Sequence, residues 1–102
     1  MSKFAVVMRM TAHEGKGAEV EAAFDGVFRQ IEGEPSTELY ILNRSASDPD
    51  VLWCYELFSS RGAFEAHCDT DTVRELVPRL EKLLASREAT QGEPVRGRGI
   101  TA

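Results

Sequence analysis

The sequence lacks any apolar run approaching the roughly 18 residues of a membrane-spanning helix, and Arg9 interrupts its first apolar stretch. The opening residues, MSKFAVVMRMTAHEGKG, have neither the long uncharged core nor the small-residue cleavage site of a secretory signal. A cytoplasmic location is expected, with no membrane partner. Positive charge is also scarce: 12 Lys and Arg stand against 17 Asp and Glu, a formal charge of -5. No net cationic field exists to draw phosphate backbones or anionic lipid, so nucleic acid is not an expected partner either.

Cysteine is confined to Cys54 and Cys68, and histidine to His13 and His67. None of these falls in the paired spacing of a zinc site or redox motif, so reduced structural thiols and no metal are expected. No Gly-rich phosphate loop follows a strand and no Gly-x-Ser-x-Gly elbow occurs, which removes the nucleotide-cofactor and serine-hydrolase readings. What remains is ordinary globular composition, 42% apolar and 28% charged over 102 residues. That length suits one domain, 1–102, with a core over about residues 3–85.

Residues 4–11, FAVVMRMT, are β-branched and apolar and predict a first strand partly buried on both faces. After the turn-forming His13-Glu14-Gly15-Lys16-Gly17, apolar residues recur at Val20, Ala23, Phe24, Val27, Phe28 and Ile31. These intervals of three and four predict one amphipathic helix, closed at Gly33-Glu34-Pro35 by a glycine cap and a proline that cannot continue it. Two β-rich runs, 37–45 and 51–58, flank the turn formers Ala46-Ser47-Asp48-Pro49-Asp50 and predict a hairpin. Ser59 or Ser60 can cap a short helix through Ala63, Phe64 and His67, and Asp69 or Asp71 a longer one. In that longer helix Val73, Leu76, Val77, Leu80, Leu83 and Leu84 keep helical spacing, and Pro78 predicts a kink or break near Arg74. The tail, residues 90–102, is weakly β-like at Val95 and is expected to form a last strand or a dimer arm.

The order β-α-β-β-α, with that doubtful last strand, is the split β-α-β pattern of an α+β ferredoxin-like fold, its helices on one face of an antiparallel sheet. Val51, Trp53, Tyr55 and Leu57 point one way along the third strand, and Leu52, Cys54, Glu56 and Phe58 the other. Neither set is plainly polar, yet the chain supplies helix enough to cover one face only. A second subunit is expected on the other, with Trp53 favoured for that contact. An RNA-recognition module shares this element order, but the third strand lacks its basic-glycine-aromatic run and the net charge has the wrong sign.

Glu38-Leu-Tyr-Ile-Leu-Asn-Arg-Ser45, Asp48-Pro49, Tyr55-Glu56-Leu57-Phe58 and Ala63-Phe64-Glu65-Ala66-His67 follow one another in a characteristic order. A strand ending in Glu-x-aromatic followed by a helix reading Ala-Phe-x-x-His resembles the antibiotic-biosynthesis-monooxygenase family, over roughly residues 3–85. The resemblance implies a dimeric α+β barrel and a pocket between each sheet and its helices, lined by Phe58, Tyr40, Met8, Phe24 and Phe64. It implies His67 as acid or base and Glu56 as the group that holds the other ring nitrogen of His67 or a substrate hydroxyl, since imidazole titrates near neutrality. Tyr40, Tyr55 and Trp53 can stack on a planar ligand, although strand aromatics more often fill cores; Asn43 and Arg44 are expected at the surface. The haem-degrading branch carries an asparagine on the first strand and a tryptophan ending the third; Met8 and Phe58 stand there, which disfavours haem chemistry.

The expected activity is cofactor-free oxygenation of a small phenolic or quinol-like compound, which asks of the protein a base, a dry cavity and a path for oxygen. Two other functions fit the same scaffold: a noncatalytic stress-response dimer that binds a small aromatic or apolar ligand, and an isomerase using the same histidine.

Overall fold

The computed structural model describes residues 2–100. It contains β1 (Phe4–Ala12), α1 (Gly17–Ala23), α2 (Asp25–Ile31), β2 (Thr37–Arg44), β3 (Val51–Phe58), α3 (Arg61–Cys68), α4 (Asp71–Leu83) and β4 (Leu84–Gly92). The four strands form one antiparallel sheet in the order β2-β3-β1-β4, the ferredoxin-like arrangement expected from the sequence.

Register sorts the side chains. Met8 pairs with Cys54, Val6 with Glu56 and Tyr40 with Glu56, so Val6, Met8, Met10, Tyr40, Leu42, Leu52, Cys54, Glu56 and Phe58 share the face that the helices cover. There Met10, Leu52 and Ala12 meet Val20, Ala23 and Phe24 from the α1 side, Val27 of α2, and Leu76 and Leu80 of α4. Each fully buried Leu or Phe of this core contributes about 1.5–3 kcal/mol relative to exposure. On the opposite face Val7 and Ile41 remain 40% and 46% exposed, and Trp53 and Tyr55 are half-buried. Residues 94–100 pass over part of this face: Pro94, Arg96 and Ile100 share a cleft of about 380 Å³ with Ala5, Val7 and Tyr55.

Several local expectations change. The single helix expected over 20–31 is interrupted at Phe24, whose N–H bonds back three residues to Glu21 O (3.2 Å). The hydrogen bond from Phe28 N to Phe24 O (3.0 Å) then restores the helical ladder. Pro78 does not break α4, which runs unbroken from Asp71 to Leu83. Pro78 and Arg74 both lie on the exposed side, where water can satisfy the Arg74 carbonyl that proline leaves without a donor. Thr70, not Asp69 or Asp71, caps α4 by accepting from Val73 N–H (3.3 Å). The last strand begins at Leu84, where the backbone turns directly from helix to extended form (φ -98°, ψ 133°). Val95 lies beyond it and is 92% exposed.

The link between β2 and β3 also fixes the start of α1. Asp50 accepts from the backbone N–H of Gly15 and of Gly17, each at 2.9 Å, and these bonds hold its carboxyl below the usual carboxylate range. A Cβ at position 17 would sit 2.0 Å from the Pro49 carbonyl oxygen, so only glycine allows this approach.

Candidate functional site

The site forms where α3 crosses β2 and β3. Ser60 starts the helix: its hydroxyl accepts from Ala63 N–H at 3.1 Å, as an N-cap does. Helical spacing then turns Phe64 and His67 toward the sheet. The Phe64 ring lies 5.3 Å from Phe58 and 5.1 Å from Phe4, and the His67 ring lies 5.3 Å from Phe58 and 5.4 Å from Tyr40. Tyr40 meets Phe28 edge-on at 5.5 Å, extending the aromatic row toward α2. Because Ser60 sets the register of the helix that carries His67, Ser60→Ala is expected to cost about 1 kcal/mol. That corresponds to a fall of roughly 4 °C in melting temperature, checked by calorimetry.

Glu56 and His67 are the buried polar residues of the described chain, each 5% exposed. Burial pushes the Glu56 carboxyl up from its ordinary 4.5 to about 7, a hydrogen bond from Cys54 opposing only part of the rise. Its neighbours respond in kind: burial and then the negative charge of Glu56 raise the Tyr40 hydroxyl and the Cys54 thiol, and Cys68 on α3 is raised for the same two reasons. Both cysteines are free thiols.

The expected pairing between Glu56 and the histidine ring is corrected. Nδ1 of His67 lies 2.8 Å from Oε1 of Glu34, which comes from the turn between α2 and β2. Glu34 in turn accepts from the Thr37 hydroxyl (2.9 Å) and from the Gln30 amide. Burial alone would raise this carboxyl, but the hydrogen bonds from His67, Gln30 and Thr37 outweigh it and hold Glu34 below the usual range. Glu34 escaped the sequence reading because it sits in a Gly-Glu-Pro segment that reads as a helix stop. The available signal was a carboxylate three residues before Thr37, at the entrance to the strand carrying Tyr40.

Of the residues implied as substrate-binding, Tyr40, Phe58 and Phe64 gather around His67. Met8 lies beside Cys54 on the same sheet face. Phe24 does not join them: it is wholly buried in the core with Val20, Val27, Leu76 and Leu80, the interior of the stripe that folds the helices onto the sheet. Phe58 is also wholly enclosed. Open space borders His67 in a groove of about 230 Å³ lined by Glu34, Pro35, Thr37, Ala63 and Ala66. Among the described residues no three His, Cys, Asp or Glu side chains are grouped as metal ligands, and no helix is long and apolar enough to cross a membrane.

The fold and this buried acid-base cluster define a ferredoxin-like α+β protein with a small site between sheet and helix. The sequence profile of the antibiotic biosynthesis monooxygenase family matches residues 3–79, and the chain belongs to that family. Its function is accordingly monooxygenase-like in general terms. No curated protein matches the chain. Among solved structures, a protein from Shewanella oneidensis is 22% identical, with a TM-score of 0.86 and 91% of each chain covered. One from Mycobacterium tuberculosis is 21% identical, with a TM-score of 0.86, covering 96% of this chain and 100% of its own. One from Caulobacter crescentus, provisionally described as an antibiotic biosynthesis monooxygenase, is 24% identical at a TM-score of 0.84, covering 93% and 92%. At such identities these likenesses establish the fold.

Proposed function

We propose that the protein is a cofactor-free monooxygenase acting on a small phenolic or quinol-like compound, with His67 as the base. The observation that carries this reading is the placement of His67 and Glu56 on one aromatic pair. The histidine packs against Tyr40 and Phe58 from the helix side, while Glu56 neighbours both within the sheet, opposite Tyr40 in register. A planar ring that reaches the groove meets His67 as proton acceptor with the Glu34 carboxylate beside it, while Glu56, whose carboxyl is pushed up to about 7, and the aromatic pair back the histidine from within the sheet. Removal of a hydroxyl proton by His67 makes a quinol electron-rich enough to reduce oxygen directly. One oxygen atom then enters the ring, the other leaves as water, and the substrate supplies all the electrons. The groove of about 230 Å³ falls below the roughly 300–1,000 Å³ of pockets for drug-sized ligands, which favours a single-ring substrate.

Oxygen consumption by the metal-free protein against a panel of hydroquinones tests this. Uptake above autoxidation supports it; conversion that proceeds equally well without oxygen would replace it with an isomerase using the same acid-base pair. Saturable binding without conversion would leave a ligand-binding protein.

The working unit is a homodimer in this reading. Val7, Ile41, Trp53 and Tyr55 make an apolar patch on the sheet face that the helices leave open, and β4 leaves an edge whose residues 85–92 are exposed. A second copy laid on this face, with the tail moved aside or exchanged, removes both from water. Sedimentation equilibrium is expected to give twice the 11.3 kDa chain mass, and Ile41→Lys to shift the protein toward monomer. A wild-type monomer at micromolar concentration would overturn the dimer.

A further inference from the structure

We propose that Glu34 is the positioning residue of this site, holding His67 in the tautomer that keeps the proton on Nδ1 and leaves the lone pair on Nε2 free at the groove. This rests on the reading of His67 as the base and adds how that base is made competent.

An ionised carboxylate can only accept hydrogen bonds. Glu34 is held in that form by the Thr37 hydroxyl, the Gln30 amide and the ring itself, which together outweigh the effect of its burial. The hydrogen in the 2.8 Å contact between Glu34 Oε1 and His67 Nδ1 therefore belongs to the ring. A neutral imidazole carries one such hydrogen, so Nε2 is the acceptor.

The surroundings agree. Nε2 has no hydrogen-bond partner among the described residues, and none of their wholly enclosed side-chain nitrogens or oxygens is left without one. Nε2 is thus the ring nitrogen left without a protein partner, and the open space bordering the ring is the groove lined by Glu34, Pro35, Thr37, Ala63 and Ala66. The ring plane is fixed by Tyr40 and Phe58 on β2 and β3. The titratable groups around the ring are Glu34 from the turn before β2, Tyr40 on β2, Cys54 and Glu56 on β3, and Cys68 on α3. Of these only Glu34 is hydrogen-bonded to it.

The chain supplies the remaining conditions. Gln30 is on the last turn of α2 and Thr37 opens β2, so the carboxylate is gripped from both sides of its own turn. That turn is closed by Glu34 N to Ile31 O (3.0 Å) and Thr37 N to Glu34 O (2.9 Å). Without such a partner an imidazole shifts its proton toward Nε2, the wrong nitrogen for accepting a proton at the groove.

The test is a long-range proton-nitrogen NMR correlation on protein labelled with ¹⁵N-histidine, recorded at about pH 9, well above the 6.5 of an unperturbed imidazole. His13→Gln identifies the two histidines. His67 is expected to give a pyrrole-type signal at Nδ1 and a pyridine-type signal at Nε2, and Glu34→Ala to lose that pattern in favour of protonated Nε2. A protonated Nε2 in the wild type, or an unchanged pattern in a folded Glu34→Ala, overturns the proposal. The wild-type spectrum decides even if the variant does not fold. No substrate is needed, so the result stands apart from oxygen uptake.

Discussion

His67→Ala is expected to lower kcat/KM for the proposed oxygenation by roughly 10²- to 10⁴-fold, the usual contribution of a positioned acid or base, while leaving the far-ultraviolet circular dichroism of the protein unchanged. The size follows from the site's economy. A reaction in which the substrate delivers its own electrons to oxygen asks the protein chiefly to remove a proton and keep water away. With the imidazole gone, the carboxylate left in the groove lining is Glu34, occupied by hydrogen bonds from Gln30 and Thr37, and Glu56 is enclosed within the sheet. The loss is expected in kcat more than in KM, because Pro35, Thr37, Ala63 and Ala66 still line the groove. An unchanged rate in a folded variant would remove His67 from the chemistry.

Glu56→Gln is expected to stabilise the protein at alkaline pH and to flatten its stability-pH profile. The Glu56 carboxyl moves from 4.5 to about 7 on folding. Below pH 4.5 both folded and unfolded forms are protonated, and the group has no effect. As pH rises from 4.5 toward 7 the unfolded chain gives up its proton while the folded chain keeps it, so stability falls throughout that window and levels off above it. At 1.36 kcal/mol per pH unit the loss is on the order of 3 kcal/mol, or roughly 10 °C in melting temperature for a chain of this length. Glutamine has the same shape without the charge. Melting curves for wild type and variant should therefore coincide near pH 4.5 and diverge toward about pH 8; parallel curves would show that burial does not raise this carboxyl. A residue retained at such a cost suits a functional role better than a structural one.

The fold was legible where burial leaves a period. The stripe from Val20 to Ile31, the alternation in 51–58 and the stripe from Val73 to Leu83 marked helical and extended segments correctly, apart from the interruption at Phe24, because each of those segments has a dry face. β4 was not legible for the opposite reason. LASREATQG buries Leu84 alone, so an edge strand held by backbone pairing with β1 carries no hydrophobic alternation, and Leu84 was absorbed into the helical stripe before it. Pro78 does not end α4, because its rule concerns a lost hydrogen bond, and on the exposed face of the helix water can take that bond's place.

Of the site, the Glu-x-aromatic strand and the Ala-Phe-x-x-His helix were readable as sequence. The partner of His67 was not: Glu34 lies 33 residues away in a turn whose glycine and proline dominate any local reading. Phe24 was placed in the site by the family resemblance, whereas its place in the helical period puts it at the centre of the core.

In the proposed reaction this chain, without metal or flavin, moves one atom of molecular oxygen into an aromatic ring at His67. The most direct measurement is mass spectrometry of the product formed from a hydroquinone under ¹⁸O₂ by metal-free protein, with His67→Ala in parallel. One heavy oxygen per product molecule is expected, formed faster than by autoxidation and only by the wild type. Product without heavy oxygen, or equal labelled product from the variant, would contradict it.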